Sequence, residues 1–181
     1  MPKAVPVPAI TAHTELVYTQ VETPFGSMLL VASSVGVCAL QFGQEAALEA
    51  GVRCRYPGAV AVRATAIASY IDPLRAYFGG GSSTVEAPLD VYPTPFQKRV
   101  WRALQDIPYG CTRTYKEIAA AIGAPTAARA VARACATNPV AVVIPCHRVV
   151  RTDGGYGGYR WGMEVKAALL ALERAHQAHS A

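Results

Sequence analysis

The sequence predicts an α+β protein, with a strand-rich first half and a mostly helical second half that contains a helix-turn-helix. Short apolar segments separated by turn residues fill the stretch before residue 43, whereas apolar residues after residue 94 recur at helical spacing. A run of glycines and serines at 79–83 separates the two patterns. With 181 residues, 52% of them hydrophobic, the chain is long enough to bury a packed core.

Three segments are expected along the chain. Residues 1–14 hold three prolines and no long apolar run, so we predict a mobile tail rather than a signal peptide or a membrane-spanning helix. Residues 15–90 are predicted to form a small N-terminal domain, and residues 91–181 a C-terminal domain. No association with a membrane is expected.

The N-terminal domain is predicted to contain a three-stranded antiparallel meander between Glu15 and Phe42. Helices are predicted over 44–50 and 64–78, and Pro73 is expected either to kink the second one or to mark where its regular part begins. The glycine run at 79–83 lacks the spacing and the following lysine of a phosphate-binding loop, so it is interpreted as a flexible connection.

Helix starts in the second half are predicted from capping signals. Thr94-Pro95-Phe96-Gln97 and Thr114-Tyr115-Lys116-Glu117 each carry a capping box, and the helix after the first is expected to end near 107–110. The second box precedes a helix ending near Ile122. Gly123-Ala124-Pro125 then predicts a turn into a third helix that starts at Thr126. Helix, short glycine turn, helix indicates a helix-turn-helix in a winged-helix-like domain.

Charge is distributed unevenly along the chain. Residues 1–90 hold 5 Lys and Arg and 7 Asp and Glu, a net charge of −2, whereas residues 91–181 hold 12 and 5, a net charge of +7. A basic domain favours a polyanionic partner, because neutralising phosphates releases counterions. The alternative is an ordinary solvated basic face.

Five cysteines form no CxxC pair and are odd in number, which disfavours a disulfide framework and a structural zinc site. We therefore expect a reducing, cytoplasmic location, with no metal and no cofactor.

The segment Pro145-Cys146-His147-Arg148-Val149-Val150 follows an apolar run and is the strongest candidate for chemistry. A nearby histidine can take the proton of a cysteine and produce the nucleophilic thiolate. Neighbouring residues of an extended strand point to opposite faces, so Cys146 and His147 can cooperate only if the backbone turns or a water bridges them. A buried structural cysteine beside a surface histidine is the alternative.

The predicted helix from Ala127 to about Ala136 places Arg129 and Arg133 one turn apart on one side. Alanines surround the two arginines, and small side chains allow a helix backbone to approach a DNA groove closely. Because alanine is also the best helix former, a plain amphipathic helix is the alternative.

These motifs together resemble the O6-alkylguanine-DNA alkyltransferase family. The resemblance runs from about residue 94 to residue 173, and the segment 158–162 is most similar to the alkyltransferase domain of the bacterial adaptive-response protein. The first half resembles the family only through its strands followed by a helix. The matching segments, in family order, are Phe96-Gln97, Val100-Trp101, Ile107-Pro108-Tyr109-Gly110, Thr114-Tyr115, Arg129-Ala130-Val131, Asn138-Pro139, Pro145 to Val150, and Gly158-Tyr159.

The resemblance implies repair of DNA by direct reversal of damage. Family members bind double-stranded DNA through the minor groove with the helix-turn-helix, and they rotate the damaged base out of the stack. They then move the alkyl group of O6-alkylguanine, and less readily of O4-alkylthymine, irreversibly onto a cysteine, here Cys146. Each molecule would act once. We expect a monomer, and cooperative assembly along DNA is left open.

The resemblance also implies roles for individual residues. His147 would take the Cys146 proton through a water, and Glu173 would orient the imidazole. Tyr115 would donate a hydrogen bond or a proton to the leaving base, and Asn138 would hold the turn around Cys146. Without the resemblance, Glu173 would be interpreted as an exposed helix carboxylate, Tyr115 as a packing residue and Asn138 as part of a common Asn-Pro turn.

Further residues are expected at the DNA and around the flipped base. Arg129 would fill the gap left by the extruded base or, alternatively, contact a phosphate. Arg148 is expected to make a structural ion pair. The predicted DNA-contacting residues are Thr94, Tyr115, Ala128, Arg129, Ala130, Arg133 and Cys135, and the predicted base-pocket residues are Pro145, Val149, Tyr159, Arg160 and Trp161.

Two positions depart from the family pattern. Trp161 stands where many members have glycine, and Arg160 stands where a small residue is common, so the indole is expected to narrow the pocket entrance. Two other functions compete with alkyl transfer. A non-catalytic sensor of alkylated bases would lack the acceptor cysteine, and a cysteine hydrolase would need an oxyanion-hole element that the sequence does not show.

Overall fold

A computed structural model describes the backbone of residues 15–179 and the side chains of residues 15–178. The predicted tail at 1–14 lies outside the described residues. Within residues 15–179, no helix combines the length and apolar character that crossing a membrane requires.

The predicted antiparallel meander is confirmed. It consists of β1 (Val17–Thr23), β2 (Gly26–Ala32) and β3 (Val37–Phe42). Gly26 closes the first turn with a φ of 97°, a conformation that glycine adopts without steric cost. A short strand that was not predicted, β4 (Val60–Ala61), pairs in parallel with β1 and completes the sheet order β3-β2-β1-β4.

Both helices of the first half have bounds that differ from the predicted ones. Helix α1 (Glu45–Arg55) runs five residues beyond the predicted end. It continues through Gly51 because Leu48 and Val52, one turn apart, are both buried, which outweighs the helix penalty of a glycine. The stretch 64–78 is not one helix kinked at Pro73. A 3₁₀ turn (Ala64–Ile67) precedes α2 (Ala68–Phe78), so the break falls at Ile67 and Pro73 lies inside α2.

The second half contains α3 (Pro95–Gln105), α4 (Tyr115–Ala121), α5 (Ala128–Ala136) and α6 (Met163–His179). Both predicted capping boxes are present, at Thr94 and Thr114. The predicted start at Thr126 is wrong, because the N-cap of α5 is Ala127 and no side chain caps it. A backbone turn, in which Ala127 N donates to Ala124 O, supplies the helix start instead.

The two halves meet along the chain segment that precedes Cys146. Leu40 of β3 donates its N–H to Pro139 O (3.0 Å) and accepts from Ala141 N (2.9 Å), so the sheet edge holds this segment in place. A single apolar core contains side chains from both halves. A two-residue parallel ladder then joins β5 (Arg113–Thr114), at the start of α4, to β6 (Val149–Val150), which follows the cysteine.

Candidate active site

The backbone turns at the cysteine. Cys146, His147 and Arg148 form one 3₁₀ turn between the buried run 140–144 and strand β6. Cys146 and His147 therefore do not occupy opposite faces of an extended strand. The alternative of a surface histidine is wrong, because His147 is fully buried.

Asn138 holds the chain that leads to this turn. Its Oδ1 accepts a hydrogen bond from Val140 N (2.9 Å), and its Nδ2 donates to Ile144 O (2.8 Å) and to Cys146 Sγ (3.3 Å). Inside the enclosed loop, Val142 has a φ of 69°, which is strained for a β-branched residue. The Asn138 amide therefore both closes a strained loop and contacts the candidate nucleophile, which is consistent with the turn-holding role expected of it.

Cys146 is 4% exposed, and its burial raises the pKa of the thiol to about 11. The hydrogen bond from Asn138 and the positive charge of Lys166 oppose that rise. Cys146 is therefore a protonated thiol at neutral pH in the free protein. Burial thus favours the neutral thiol in this state, and the sulfur becomes a nucleophile only after a base has taken its proton.

His147 and Glu173 form a buried pair. The Nε2 of His147 lies 2.7 Å from Glu173 Oε1, and burial lowers the pKa of the imidazole. Glu173 is 0% exposed rather than a surface carboxylate. Because a carboxylate can only accept, Nε2 carries the proton, and Nδ1 of the neutral ring keeps its lone pair. This Nδ1 has no hydrogen-bond partner among the residues that the structure describes, so it is available as a base.

Arg148 completes the charge balance around Glu173. Its Nε lies 3.1 and 3.0 Å from the two carboxylate oxygens, and its Nη1 donates to Ile107 O (2.8 Å), which confirms the expected ion pair. Burial alone would raise the pKa of Glu173, but hydrogen bonds from His147 and Arg148 lower it to about 2. Glu173 is therefore ionised at neutral pH.

Two residues of this network were not predicted from the sequence. Tyr77 of α2 donates a hydrogen bond from its hydroxyl to Glu173 Oε1. Lys166 of α6 is fully buried and donates to the carbonyls of Val149 (2.5 Å) and Tyr156. Burial lowers the pKa of Lys166 to about 8. No local pattern identifies either residue, since the partner of Tyr77 is 96 positions away and those of Lys166 are 17 and 10 positions away, as backbone carbonyls.

The loop between β6 and α6 lies close to Tyr115. A Cβ added at Gly157, whose φ is +67°, would come within 2.8 Å of the Tyr115 hydroxyl, so only glycine fits there. Burial raises the pKa of Tyr115 to about 12, and the hydroxyl stays protonated. Tyr159 and Trp161 pack edge to face with ring centroids 5.1 Å apart, and their polar atoms, Tyr159 Oη and Trp161 Nε1, have no partner among the described residues.

The other predicted pocket residues, Val149, Arg160 and Pro145, do not share one environment. Val149 is buried, and Arg160 is exposed. Pro145 is buried and lines a cavity of about 540 Å³ together with Tyr77, Val142 and Arg148, but Cys146 does not line this cavity.

Helix α5 presents most of the predicted DNA-contacting residues outward. Arg129, Ala130 and Arg133 are exposed and Ala128 is partly exposed. The prediction that Cys135 contacts DNA is wrong, because this side chain is 7% exposed and packs inward with Val131 and Ala134 at helical spacing. Thr94, on a different helix, is the exposed N-cap of α3. In residues 15–179 we find no group of three or more His, Cys, Asp or Glu side chains that could hold a metal ion.

Comparison with known proteins identifies the family. Residues 16–91 match the ribonuclease-like domain of 6-O-methylguanine DNA methyltransferase, and residues 95–175 match its DNA binding domain. A methylated-DNA–protein-cysteine methyltransferase of Methanosarcina barkeri is 42% identical over 156 residues, which are 86% of this chain and 96% of that relative. The chain belongs to the 6-O-methylguanine DNA methyltransferase family.

Other members of the methyltransferase family show the same relationship. A protein of Mycolicibacterium paratuberculosis with the same name is 53% identical over 111 residues, covering 61% of this chain and 67% of the relative. The Escherichia coli bifunctional transcriptional activator/DNA repair enzyme Ada is 40% identical over 158 residues, so 86% of the chain matches 45% of Ada. The crystal structure of Mycobacterium tuberculosis OGT in complex with DNA aligns with a TM-score of 0.74 and 37% identity, over 88% of this chain and 94% of that one.

Proposed function

We propose that this protein repairs DNA by moving the alkyl group of O6-alkylguanine onto Cys146, once per molecule. The observation that carries the proposal is the geometry at Cys146. The thiol is buried at a turn fixed by Asn138, and the adjacent His147 has a free Nδ1 backed by an ionised carboxylate. Membership in the methyltransferase family supports alkyl transfer to cysteine as the chemistry.

The first step removes the thiol proton. The described residues include no direct hydrogen bond between Cys146 Sγ and His147 Nδ1, so the proton passes to Nδ1 through a water molecule. The imidazolium that forms is stabilised by Glu173, 2.7 Å from Nε2. Lys166 and the Asn138 amide favour the developing thiolate. Because burial raises the pKa of the thiol, this proton transfer to His147 is needed before the sulfur can react.

The second step transfers the alkyl group. The thiolate attacks the O6-alkyl carbon in line, the S–C bond forms, and the C–O6 bond breaks with its electron pair left on the guanine. Tyr115 donates a proton or a hydrogen bond to a guanine ring nitrogen as the base leaves, which its protonated hydroxyl allows. Val149, Tyr159 and Trp161 would surround the base. The thioether cannot revert, so the protein is consumed.

Helix α5 is proposed to engage the lesion-bearing duplex. Its exposed face carries Arg129, Ala130 and Arg133. The small side chain of Ala130 permits close approach of the helix to the groove, and the two arginines contact phosphates or fill the gap left by the flipped base. We propose that the protein acts as a monomer.

Duplex DNA carrying O6-methylguanine with a labelled methyl group tests the proposal. We expect label to move to protein up to one equivalent, with no further turnover, and the Cys146→Ala variant to bind the duplex but to accept no label. Binding without transfer by the unaltered protein would support a lesion sensor instead. Repeated turnover on esters or amides, without labelled protein, would support a hydrolase.

A further inference from the structure

We propose that Tyr77, which comes from the N-terminal half, is a positioning residue for alkyl transfer. Its hydroxyl hydrogen bond to Glu173 sets how strongly the carboxylate holds His147. This inference rests on the proposed function, because its readout is the transfer reaction. It also gives the N-terminal sheet and helices a direct connection to the active site in addition to their packing role.

The position of Tyr77 is fixed by its surroundings. The side chain is 1% exposed on the inner face of α2. Its ring packs edge to face against Phe78 and Tyr109, each with centroids 5.5 Å away, so the hydroxyl has little freedom to point elsewhere. The hydroxyl donates to Glu173 Oε1 across 96 positions of sequence.

Tyr77 and His147 use the same carboxylate oxygen. Oε1 of Glu173 accepts from Tyr77, from His147 Nε2 at 2.7 Å and from Arg148, whereas Oε2 accepts from Gly110 N at 2.9 Å and from Arg148 Nε at 3.0 Å. Each donor to Oε1 stabilises part of its negative charge. A donor from Tyr77 therefore leaves less of that charge to stabilise the protonated form of His147.

Other charged and titratable groups surround the pair of His147 and Glu173. Arg148 and Lys166 disfavour a positive charge on His147, and Glu173 favours it. Burial raises the pKa values of Tyr77, Tyr109 and Tyr159, so these phenols stay neutral. Cys146 is the thiol whose proton His147 receives. Tyr77 is thus a permanent neutral donor, and its effect appears through the pKa of His147.

Removing the Tyr77 hydroxyl has a consequence with a defined sign. In Tyr77→Phe, Glu173 Oε1 interacts more strongly with the imidazolium, and the pKa of His147 rises. Because His147 must be neutral to accept the thiol proton, the acidic limb of transfer rate against pH should move to higher pH, by about 0.5 to 1 unit. Replacing Tyr77 with 3-fluorotyrosine strengthens the donor, so the limb should move to lower pH.

Single-turnover transfer from O6-methylguanine duplex, measured from about pH 5 to about pH 9 with the full chain, tests this. Tyr109→Phe is the matched control, since its hydroxyl is hydrogen-bonded to His176 Nδ1 (2.8 Å), whereas the described donors to Glu173 are Tyr77, Gly110, His147 and Arg148. Its acidic limb should coincide with that of the unaltered protein. Urea unfolding of each variant identifies any loss of fold.

The possible results distinguish the positioning role of Tyr77 from the proposed alkyl transfer itself. Opposite shifts in Tyr77→Phe and the fluorotyrosine protein, with no shift in Tyr109→Phe, support the positioning role. A Tyr77→Phe protein that is slower at every pH with an unmoved limb, or shifts of the same sign in both Tyr77 proteins, would overturn it. Should Tyr77→Phe not fold, the fluorotyrosine protein alone decides, and an unmoved limb refutes the role. Failure of the unaltered protein to transfer at all would refute the proposed function instead.

Discussion

The buried network around Glu173, to which we assign the chemistry, and the exposed face of α5, to which we assign DNA contact, lie in different physical surroundings. In the network, a carboxylate that water does not reach is bonded by Tyr77, Gly110, His147 and Arg148. On α5, Arg129 and Arg133 extend into solvent. Buried charges are costly unless every partner is present, whereas exposed charges act nearly independently and are screened by salt.

Single substitutions should therefore have different effects in the two regions. Loss of one member of the buried network affects stability and chemistry together, because it leaves the others unpaired. Loss of one arginine on α5 should weaken DNA binding by a modest, salt-dependent amount and leave the fold intact.

The largest effect is expected from Glu173→Gln. The substitution leaves the buried Arg148 guanidinium without its counter-charge, and breaking a buried pair costs about 3–5 kcal/mol of unfolding free energy. Transfer should slow by orders of magnitude, because the imidazolium loses its stabilising charge. Urea unfolding and single-turnover rates measure both. Glu164→Gln, an exposed position on the same helix, is the control and should change neither.

The pH dependence of that difference has a definite sign. The pKa of Glu173 is about 2 in the folded protein against an ordinary value of 4.5, so its contribution is fully present above pH 4.5 and is lost as the pH falls toward 2. The stability gap between the unaltered protein and Glu173→Gln should therefore shrink by roughly 3 kcal/mol over that range. A gap that stays constant with pH would contradict the assigned ionisation.

Asn138 should come next. Asn138→Ala removes the partners of Val140 N and Ile144 O inside a buried loop, which costs about 1–3 kcal/mol for each group left unsatisfied. Asn138→Asp keeps the acceptor for Val140 but places a negative charge beside Cys146. We expect the Asp variant to transfer more slowly than the Ala variant although it preserves more hydrogen bonding. The reverse order would show that the amide acts only as a structural support.

A smaller effect is expected at the pocket entrance. Trp161 packs against Tyr159, and its indole should hinder large free bases, so reaction with O6-benzylguanine should be weak relative to methylated DNA. Trp161→Gly should raise the rate with O6-benzylguanine about tenfold or more, with less change on methylated DNA. Met163→Ala, an exposed neighbour, is the control. Equal rates for the two substrates in the unaltered protein would contradict the assignment.

The smallest effects belong to α5. Arg133→Ala should weaken binding to undamaged duplex and reduce the salt slope by about 1, with unfolding unchanged. Arg129→Lys should bind duplex DNA as well as the unaltered protein if Arg129 contacts a phosphate. It should transfer the alkyl group more slowly if Arg129 fills the gap left by the flipped base. Arg75→Ala, exposed on α2, should leave the salt slope unchanged. If either α5 substitution lowered the free energy of unfolding by several kcal/mol, it would contradict the expectation that exposed arginines affect DNA binding but not the fold.

Local signals in the sequence predicted local structure well. The capping boxes at Thr94 and Thr114 and the meander depend on residues within a few positions of one another, and the structure contains them. The start of α5 was misplaced because a backbone turn, with no side-chain signal, begins it. Cys135 was assigned to the wrong face even though its spacing from Val131 matches the buried stripe of α5.

The parts of the site that the sequence did not show depend on contacts between distant segments. Tyr77 lies 96 positions from Glu173, and Lys166 bonds the carbonyls of Val149 and Tyr156 rather than a side chain. The Tyr77 contact forms only between the two halves, and the Lys166 contacts form only when α6 packs against the loop that precedes it. The raised pKa of the Cys146 thiol likewise comes from burial, which the motif alone does not indicate.

Peptide mapping by mass spectrometry after reaction with O6-methylguanine duplex shows directly whether Cys146 accepts the alkyl group. We expect one methyl group to replace the thiol hydrogen of Cys146, while Cys38, Cys54, Cys111 and Cys135 remain free thiols. Methyl groups found on another cysteine, or an unmodified Cys146 in protein that has bound the lesion, would contradict it.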